Sequence, residues 1–432
     1  NAGVAALKAR LDSESVDGNK YRLITIDGWI LRLVSSFPIL SGIKIDKDEK
    51  IDYANLQKGS LKIVSSGALD SVIKATYSRL VVDEYQDCSN LQHDLVVMLS
   101  SLLRCCVLGD PLQRIFDFRP GSLPHWENVV VKDFPVAQEL LTPWRWMNAN
   151  EKEFGEWVLN VRESIITNKE IDLRKVPKNV TWIQISADPE IRHKAYGDAI
   201  KSIKIKAGEE LLVIGNSRDR ESRSNFARTI PGFVVVEPVD LTDLIDNCKL
   251  IQSSTGYERL EAVLSFLSMV MTGIDAKSFL IRTKSVISGK NKKAATDLEK
   301  LGIEVINNTS YTAVLNFLIG HAEDPAYRIF RRQILFAMIS ALKHINLFPS
   351  VELLQAGIIV RERNRALGRT LTSKAIGSTL LLKGLEGKHA LILNADEMNL
   401  RHLYVAVSRA SKSLIIFSRS PVLNVTTLPL GI

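Results

Sequence analysis

Leu80-Val81-Val82-Asp83-Glu84-Tyr85-Gln86-Asp87 is the stretch that decides how this chain is read. A short apolar strand delivers two adjacent carboxylates to its C-terminal end, which is where ligands bind in open α/β sheets. Asp83 can hold Mg²⁺ there, directly or through water. Glu84 can take a proton from the attacking water, or orient it. Taken alone, the pair also reads as an acidic turn after a buried strand.

One helix and one strand further on comes Val107-Leu108-Gly109-Asp110-Pro111-Leu112-Gln113-Arg114-Ile115-Phe116-Asp117-Phe118-Arg119. Gly109 permits a tight turn out of the strand, which places Gln113 to sense a terminal phosphate. Phe116, Phe118 and Arg119 can form a stacking platform with a cation, the means by which single strands are gripped without reading sequence. A turn followed by an edge strand with core aromatics is the other reading. In Leu141-Thr142-Pro143-Trp144-Arg145-Trp146, a flat aromatic beside an arginine can stack on a base while the guanidinium reaches phosphate; such pairs also pack on surfaces. Lys383-Gly384-Leu385-Glu386 reads as a polar turn. Tyr404-Val405-Ala406-Val407-Ser408-Arg409-Ala410 brings an arginine out of an apolar helix, either as an arginine finger or on a solvated helix end.

In order and spacing, these five segments together resemble the UvrD/Rep/PcrA helicases of superfamily I. DEYQD resembles the family's Walker B motif, GDPLQRIFDFR its motif III, TPWRW motif IV, KGLE motif V and YVAVSRA motif VI. Asn1-Ala2-Gly3-Val4-Ala5-Ala6 with Arg10 resembles motif Ia, and Ile24-Thr25-Ile26-Asp27-Gly28-Trp29 the DNA-contacting segment after it.

The resemblance implies an α/β fold of two RecA-like parallel-sheet domains with helical insertions, and ATP with Mg²⁺ between the domains. It casts Asp83 as the Mg²⁺ ligand and Glu84 as the activator of water. Gln113, Arg145 and Arg409 are expected on the γ-phosphate, Trp144 on the base, and Gly384 with Glu386 on the ribose side. Asn1, Trp29, Phe116, Phe118, Arg119 and Ser378 are expected along single-stranded or partly duplex DNA, with 3′→5′ polarity. The expected layout is a first RecA-like domain over 1–150 with a short insertion at about 35–75. A second domain follows over 151–239 and 371–432, interrupted by a mostly helical insertion at 240–370.

Three departures matter. No Gly-x-x-x-x-Gly-Lys followed by Ser or Thr occurs in the 432 residues. The expectation is a phosphate-binding loop upstream of Asn1. Leu380 stands where the family carries a motif V histidine, and Asp27 where many relatives carry another. The compact insertions are similar to helicase subunits of Gabija-type anti-phage systems, whose partner is an OLD-like nuclease. DNA repair and anti-phage defence are therefore both open. A second reading is a non-catalytic helicase-fold subunit that senses DNA or nucleotide for a partner nuclease.

Composition sets the remaining bounds. A chain this long exceeds one ordinary core, and its 46% hydrophobic and 24% charged fractions suit a globular protein. A net charge of +8 favours a polyanionic partner. Lys290, Lys292 and Lys293 form the densest basic patch, read as a solvated face or loop. No apolar run is long enough for a bilayer span and no secretion signal opens the chain, so no membrane and a cytoplasmic location are expected. Four cysteines without CxxC spacing argue against zinc or a disulfide framework. Cys105 and Cys106 are expected to be buried strand residues. In the helical segment, strands are expected only near Phe279–Ile281 and Gly302–Ile306.

Overall fold

The structure is a computed structural model that describes residues 2–44, 52–116, 122–290, 292–367 and 372–423. The chain is α/β and divides into two compact units. One is Asn1–Asn179 with Met398–Ser408 and Ser420–Ile432; the other is Val180–Glu397 with Arg409–Arg419.

In the first unit, β1 (Arg79–Val82) and β2 (Arg104–Val107) run parallel, with Val81 opposite Cys106 and Val82 opposite Val107. Strand side chains alternate between faces. Leu80, Val82, Cys105 and Val107 therefore face a core of Tyr85, Cys88, Val96 and Val130. The other face is open: Val81 is 63% exposed. This corrects the expected burial of both cysteines, because Cys105 is half-buried and Cys106 exposed. An apolar run was taken as buried on both sides, whereas described residues cover only one side.

Helices Ile26–Ser36, Tyr53–Ser65 and Asn90–Ser100 supply Ile30, Val34, Leu56, Ile63, Leu95 and Leu99 to a second core. Their starts are written locally. Thr25 Oγ1 accepts from Gly28 N, and Ser89 with Gln92 forms a reciprocal capping box. The Asp27 carboxylate then ties the three helices together, accepting from Gln57 at 2.9 Å and Gln92 at 2.8 Å. β3 (Ile171–Asp172) lies late in this unit.

The second unit contains β4 (Val180–Gln184), β5 (Leu211–Gly215) and β6 (Val234–Val235). Helices then occupy most of Thr242–Leu367, with one antiparallel pair, β7 (Met271–Thr272) and β8 (Arg328–Ile329). The chain returns through β9 (Lys374–Ser378), β10 (Gly387–Ile392) and β11 (Ala410–Ser418). These form a six-stranded parallel sheet in the order β4-β11-β10-β5-β9-β6. Every residue of β5 is buried, as a strand covered on both faces requires. After β11, β12 (Val422–Leu423) pairs antiparallel with β3 in the first unit.

The two strands expected inside the helical segment are helices, Ala276–Ile287 and Asp297–Asn307. Local signals decide the matter: Asp275 caps the first, and Thr296 with Glu299 forms a capping box for the second. Their apolar residues lie along helix faces that join a core of Leu260, Val263, Phe266, Phe317 and Leu335. Lys290, Lys292 and Lys293 lie exposed in the loop between these two helices.

The helical segment is anchored to the β6 edge. Val235 N donates to Phe330 O at 2.9 Å, and the Phe330 side chain is fully buried in the sheet core. Beside it, Arg331 donates to Glu237 at 2.6 and 2.8 Å and to Asp243 at 2.5 Å. Arg220 reaches the same Asp243 at 2.5 Å.

Near the amino ends of β5, β10 and β11, Glu209 accepts from Lys412 at 2.6 Å, Lys206 N at 2.9 Å and His389 at 3.1 Å. The Lys412 hydrogen bond, then that of Lys206 N and that of His389, hold its carboxyl down at about 2, against an ordinary 4.5. A depressed folded value means that its contribution is fully present above pH 4.5 and lost as pH falls towards 2. Glu209→Gln is therefore expected to flatten the acid limb of the stability–pH profile between those values, read by urea unfolding at stepped pH. An unchanged limb would remove Glu209 from acid stability. No helix among the described residues is long and apolar enough to cross a membrane.

Candidate functional site

Asp83 and Glu84 follow the last residue of β1, and Asp110 lies three residues past the end of β2. Parallel pairing brings these strand ends together: Leu108 N donates to Val82 O at 2.8 Å, and Tyr85 N to Leu108 O at 3.0 Å. Both carboxylates of the acidic pair are exposed. Glu84 sits at φ 54°, in the left-handed region. That conformation costs a non-glycine residue on the order of 1 kcal/mol and is typical of ligand sites. The bend makes Glu84 N donate to Asp83 Oδ1 at 2.8 Å. Asp83 Oδ2 has no partner among the described residues.

Gln86, which the sequence reading quoted without assigning it a role, is 4% exposed and bridges the two strand ends. Its Nε2 donates to Glu84 Oε2 at 2.6 Å, and its Oε1 accepts from Asp110 N at 3.1 Å. The bridge also explains Gly109. A Cβ there would lie 2.9 Å from Gln86 Oε1 and 2.7 Å from the Trp126 ring. Close approach, rather than the turn alone, requires the glycine. Asp110 caps the short turn Pro111–Gln113, and Gln113 Nε2 donates back to it at 3.4 Å. Arg162 reaches Asp110 at 3.9 Å from helix Lys152–Ile166. Below the strand ends, Tyr85 Oη is 2.9 Å from His93 Nδ1, and His93 Nε2 is 3.0 Å from Asp133. Burial raises the Tyr85 phenol, and its hydroxyl stays protonated.

Gln86→Leu keeps the volume and removes both hydrogen bonds. It is expected to lower stability by about 1–3 kcal/mol, because the part-buried Asp110 N loses its partner. Urea unfolding would check this, and an unchanged midpoint would show that the bridge does not hold the strand ends together.

Helix Leu400–Val407 packs against both the Pro111–Gln113 turn and helix Lys152–Ile166. Its C-cap Ser408 offers its carbonyl to Arg145 Nη1. The TPWRW and YVAVSRA segments thus meet in the first unit. Arg145 also lies over the Trp146 ring at 5.3 Å. Trp146 is buried against Phe154, whereas Trp144 is 63% exposed, its ring available for stacking.

In the second unit, β10 and β11 run parallel with Gly387 opposite Ala410. Glu386 and Arg409 therefore enter the sheet side by side at its amino edge. Gly387 N donates to Arg409 O at 3.0 Å, and Arg409 Nη1 to Leu385 O at 3.3 Å. Arg409 is only 3% exposed and lies between helix and strand, not on the helix. Gly384, at φ 76°, supplies the left-handed turn that this edge needs. Ser378 lies at the opposite, carboxyl edge, 2% exposed, with its hydroxyl accepting from Leu381 N at 3.4 Å. Thr379 beside it meets Ser217 at 3.1 Å.

Among residues expected along DNA, Trp29 is half-buried and packs on the helical core of the first unit. Phe116 is 38% exposed. Asn1, Phe118 and Arg119 lie outside the described residues.

Among the described residues, no group of three or more His, Cys, Asp or Glu is arranged to hold a metal. The donor set at β1 is instead one exposed carboxylate with an uncommitted oxygen. That set suits Mg²⁺, which takes one or two protein carboxylates and completes its shell with phosphate and water.

Residues 40–133, which carry β1, β2 and the Asp83–Asp110 strand ends, match the model of the UvrD/REP helicase N-terminal domain. No curated protein matches the chain. The match supports a helicase-family protein of UvrD-like type.

Proposed function

We propose that this chain is an ATP-driven translocase or helicase on single-stranded DNA. The observation that carries the reading is the exposed Asp83–Glu84 pair at the end of β1, held to β2 through Gln86 and Asp110, within the segment that matches a UvrD/REP helicase domain. Bound Mg-ATP would supply the phosphoryl chemistry. Asp83 would hold the cation through Oδ2, and Glu84 would orient the attacking water and take its proton. Gln113, Arg145 and Arg409 would meet phosphate charge, Trp144 would stack on the base, and Gly384 with Glu386 would frame the ribose side. Trp29, Phe116 and Ser378, with Asn1, Phe118 and Arg119, are proposed along the DNA path. Two RecA-like domains, 3′→5′ polarity, a cytoplasmic setting, and service in repair or phage defence with a nuclease partner belong to the same proposal.

A second reading is a helicase-fold subunit that senses DNA or nucleotide for a partner nuclease without turnover. ATP hydrolysis with and without single-stranded DNA separates the two. Turnover stimulated by DNA supports the motor. DNA binding without turnover supports the sensor and overturns the motor.

A further inference from the structure

Within the helical segment, a cavity of about 290 Å³ is lined by Asp275, Ser278, Phe279, Arg282, His321 and Tyr327, among others. That volume is at the small end of ligand pockets. Its polar lining is a built arrangement. His321, on helix Tyr311–Glu323, is 1% exposed. Its Nδ1 lies 2.9 Å from Phe317 O. A carbonyl only accepts, so Nδ1 carries the proton and Nε2 remains a lone-pair acceptor. Nε2 has no hydrogen-bond partner among the described residues. Burial lowers the basicity of this imidazole and keeps it neutral. Aromatic rings surround it: its centroid is 5.1 Å from Tyr327 and 6.0 Å from Phe279.

The arginine in the wall is already paired. Arg282 Nε donates to Glu299 at 3.1 Å, and its Nη2 to the carbonyls of Lys293 and Ala294 at 2.7 and 3.1 Å. Asp275 caps its helix, accepting from Ser278 N at 3.0 Å. Arg282 Nη1 has no partner among the described residues. The cavity thus offers one buried acceptor, one donor and two aromatic rings, and the remaining Asp275 carboxylate disfavours an anion. A polar, flat, neutral molecule satisfies all of these, while an alkyl ligand would leave the buried acceptor unpaired.

We infer that this cavity binds a small, uncharged heteroaromatic molecule of the nucleobase class, with a ring or exocyclic N–H on His321 Nε2, an acceptor on Arg282 Nη1 and its faces against Phe279 and Tyr327. The site is independent of the strand-end carboxylates and does not rest on the motor reading. The base could come from a free nucleoside or from a nucleotide turned out of a single strand.

The test uses 2-aminopurine riboside, whose fluorescence is quenched by stacking, titrated against the whole chain without ATP. Saturable quenching is expected. His321→Phe, which keeps the ring packing and removes the acceptor, should weaken it about tenfold. Ser278→Leu, which narrows the cavity, should weaken it comparably, and serves if the first variant melts early. Absent quenching, or indifference to both cavity variants, would overturn the proposal. A single-stranded oligonucleotide carrying one 2-aminopurine separates the sources. Quenching there that His321→Phe relieves identifies a strand base; quenching confined to the riboside identifies a free nucleoside.

Discussion

Glu84→Gln is expected to lower ATP turnover by about 10²–10⁴ while nucleotide binding survives. The substitution removes the charge and proton affinity but keeps length and shape. The amide oxygen can still accept from Gln86 Nε2, which now holds Glu84 at 2.6 Å. The left-handed backbone at φ 54° suits Gln no worse than Glu, so the strand end should keep its geometry. Turnover in the presence of single-stranded DNA, paired with a fluorescent-nucleotide titration, measures the two halves separately. Near-normal turnover would remove Glu84 from the chemistry. Loss of nucleotide binding would make its role structural.

The largest effect on stability is expected at the edge of the sheet. Arg331→Met leaves the fully buried Glu237 without its bidentate partner, so that Arg220, at 3.4 Å from Glu237 and 2.5 Å from Asp243, is shared between the two carboxylates. Removing one member of a buried pair costs about 3–5 kcal/mol when the remaining charge is uncompensated, and the long Arg220 contact places the expected loss at the lower end of that range. The urea midpoint should fall accordingly. Arg331→Met combined with Glu237→Leu should recover much of the loss, since well-packed apolar residues can replace a buried ion pair. An unchanged midpoint in the single variant would show that Glu237 finds other compensation.

The sequence disclosed the strands that carry chemistry better than it disclosed what surrounds them. Arg79–Val82, Val180–Ile185, Glu210–Ile214, His389–Leu393 and Ser413–Phe417 read as strands from sequence alone, and β1, β4, β5, β10 and β11 lie on them or within a few residues. β5, β10 and β11, which lie inside the six-stranded sheet, carry the continuous apolar runs of strands covered on both faces. β9 went unseen because Lys374-Ala375-Ile376-Gly377-Ser378 has little apolar length; its neighbours β5 and β6 bury it, a tertiary effect. The expected strands at 279–281 and 302–306 failed for the opposite reason. Three or four apolar residues look alike on a strand and on a buried helix face, and capping residues outside the run settled the choice.

At the site, Asp83 and Glu84 were legible because chemistry selects residue types at a strand end. Gln86 was not, because its part depends on Asp110, 24 positions away. Arg145 on the Ser408 carbonyl spans 263 positions and no local pattern announces it. Asp27 has the same lesson. It replaces a histidine expected from the resemblance, and its carboxylate serves Gln57 and Gln92, helix partners that only packing reveals.

The chain paths through the first unit also dictate an order of manufacture. That unit includes Met398–Ser408 and β12, which the ribosome delivers only after all of Val180–Glu397 has been made. The acidic strand end emerges before the second unit, yet the helix that packs on its Pro111–Gln113 turn follows most of that unit. At translation speeds of roughly 5–20 residues per second, the first unit waits some ten seconds or more for its final pieces. The second unit lacks only Arg409–Arg419 by then, so the two complete their folds nearly together. A nascent chain stalled before Met398 should therefore be far more open to protease in its N-terminal part than the released protein.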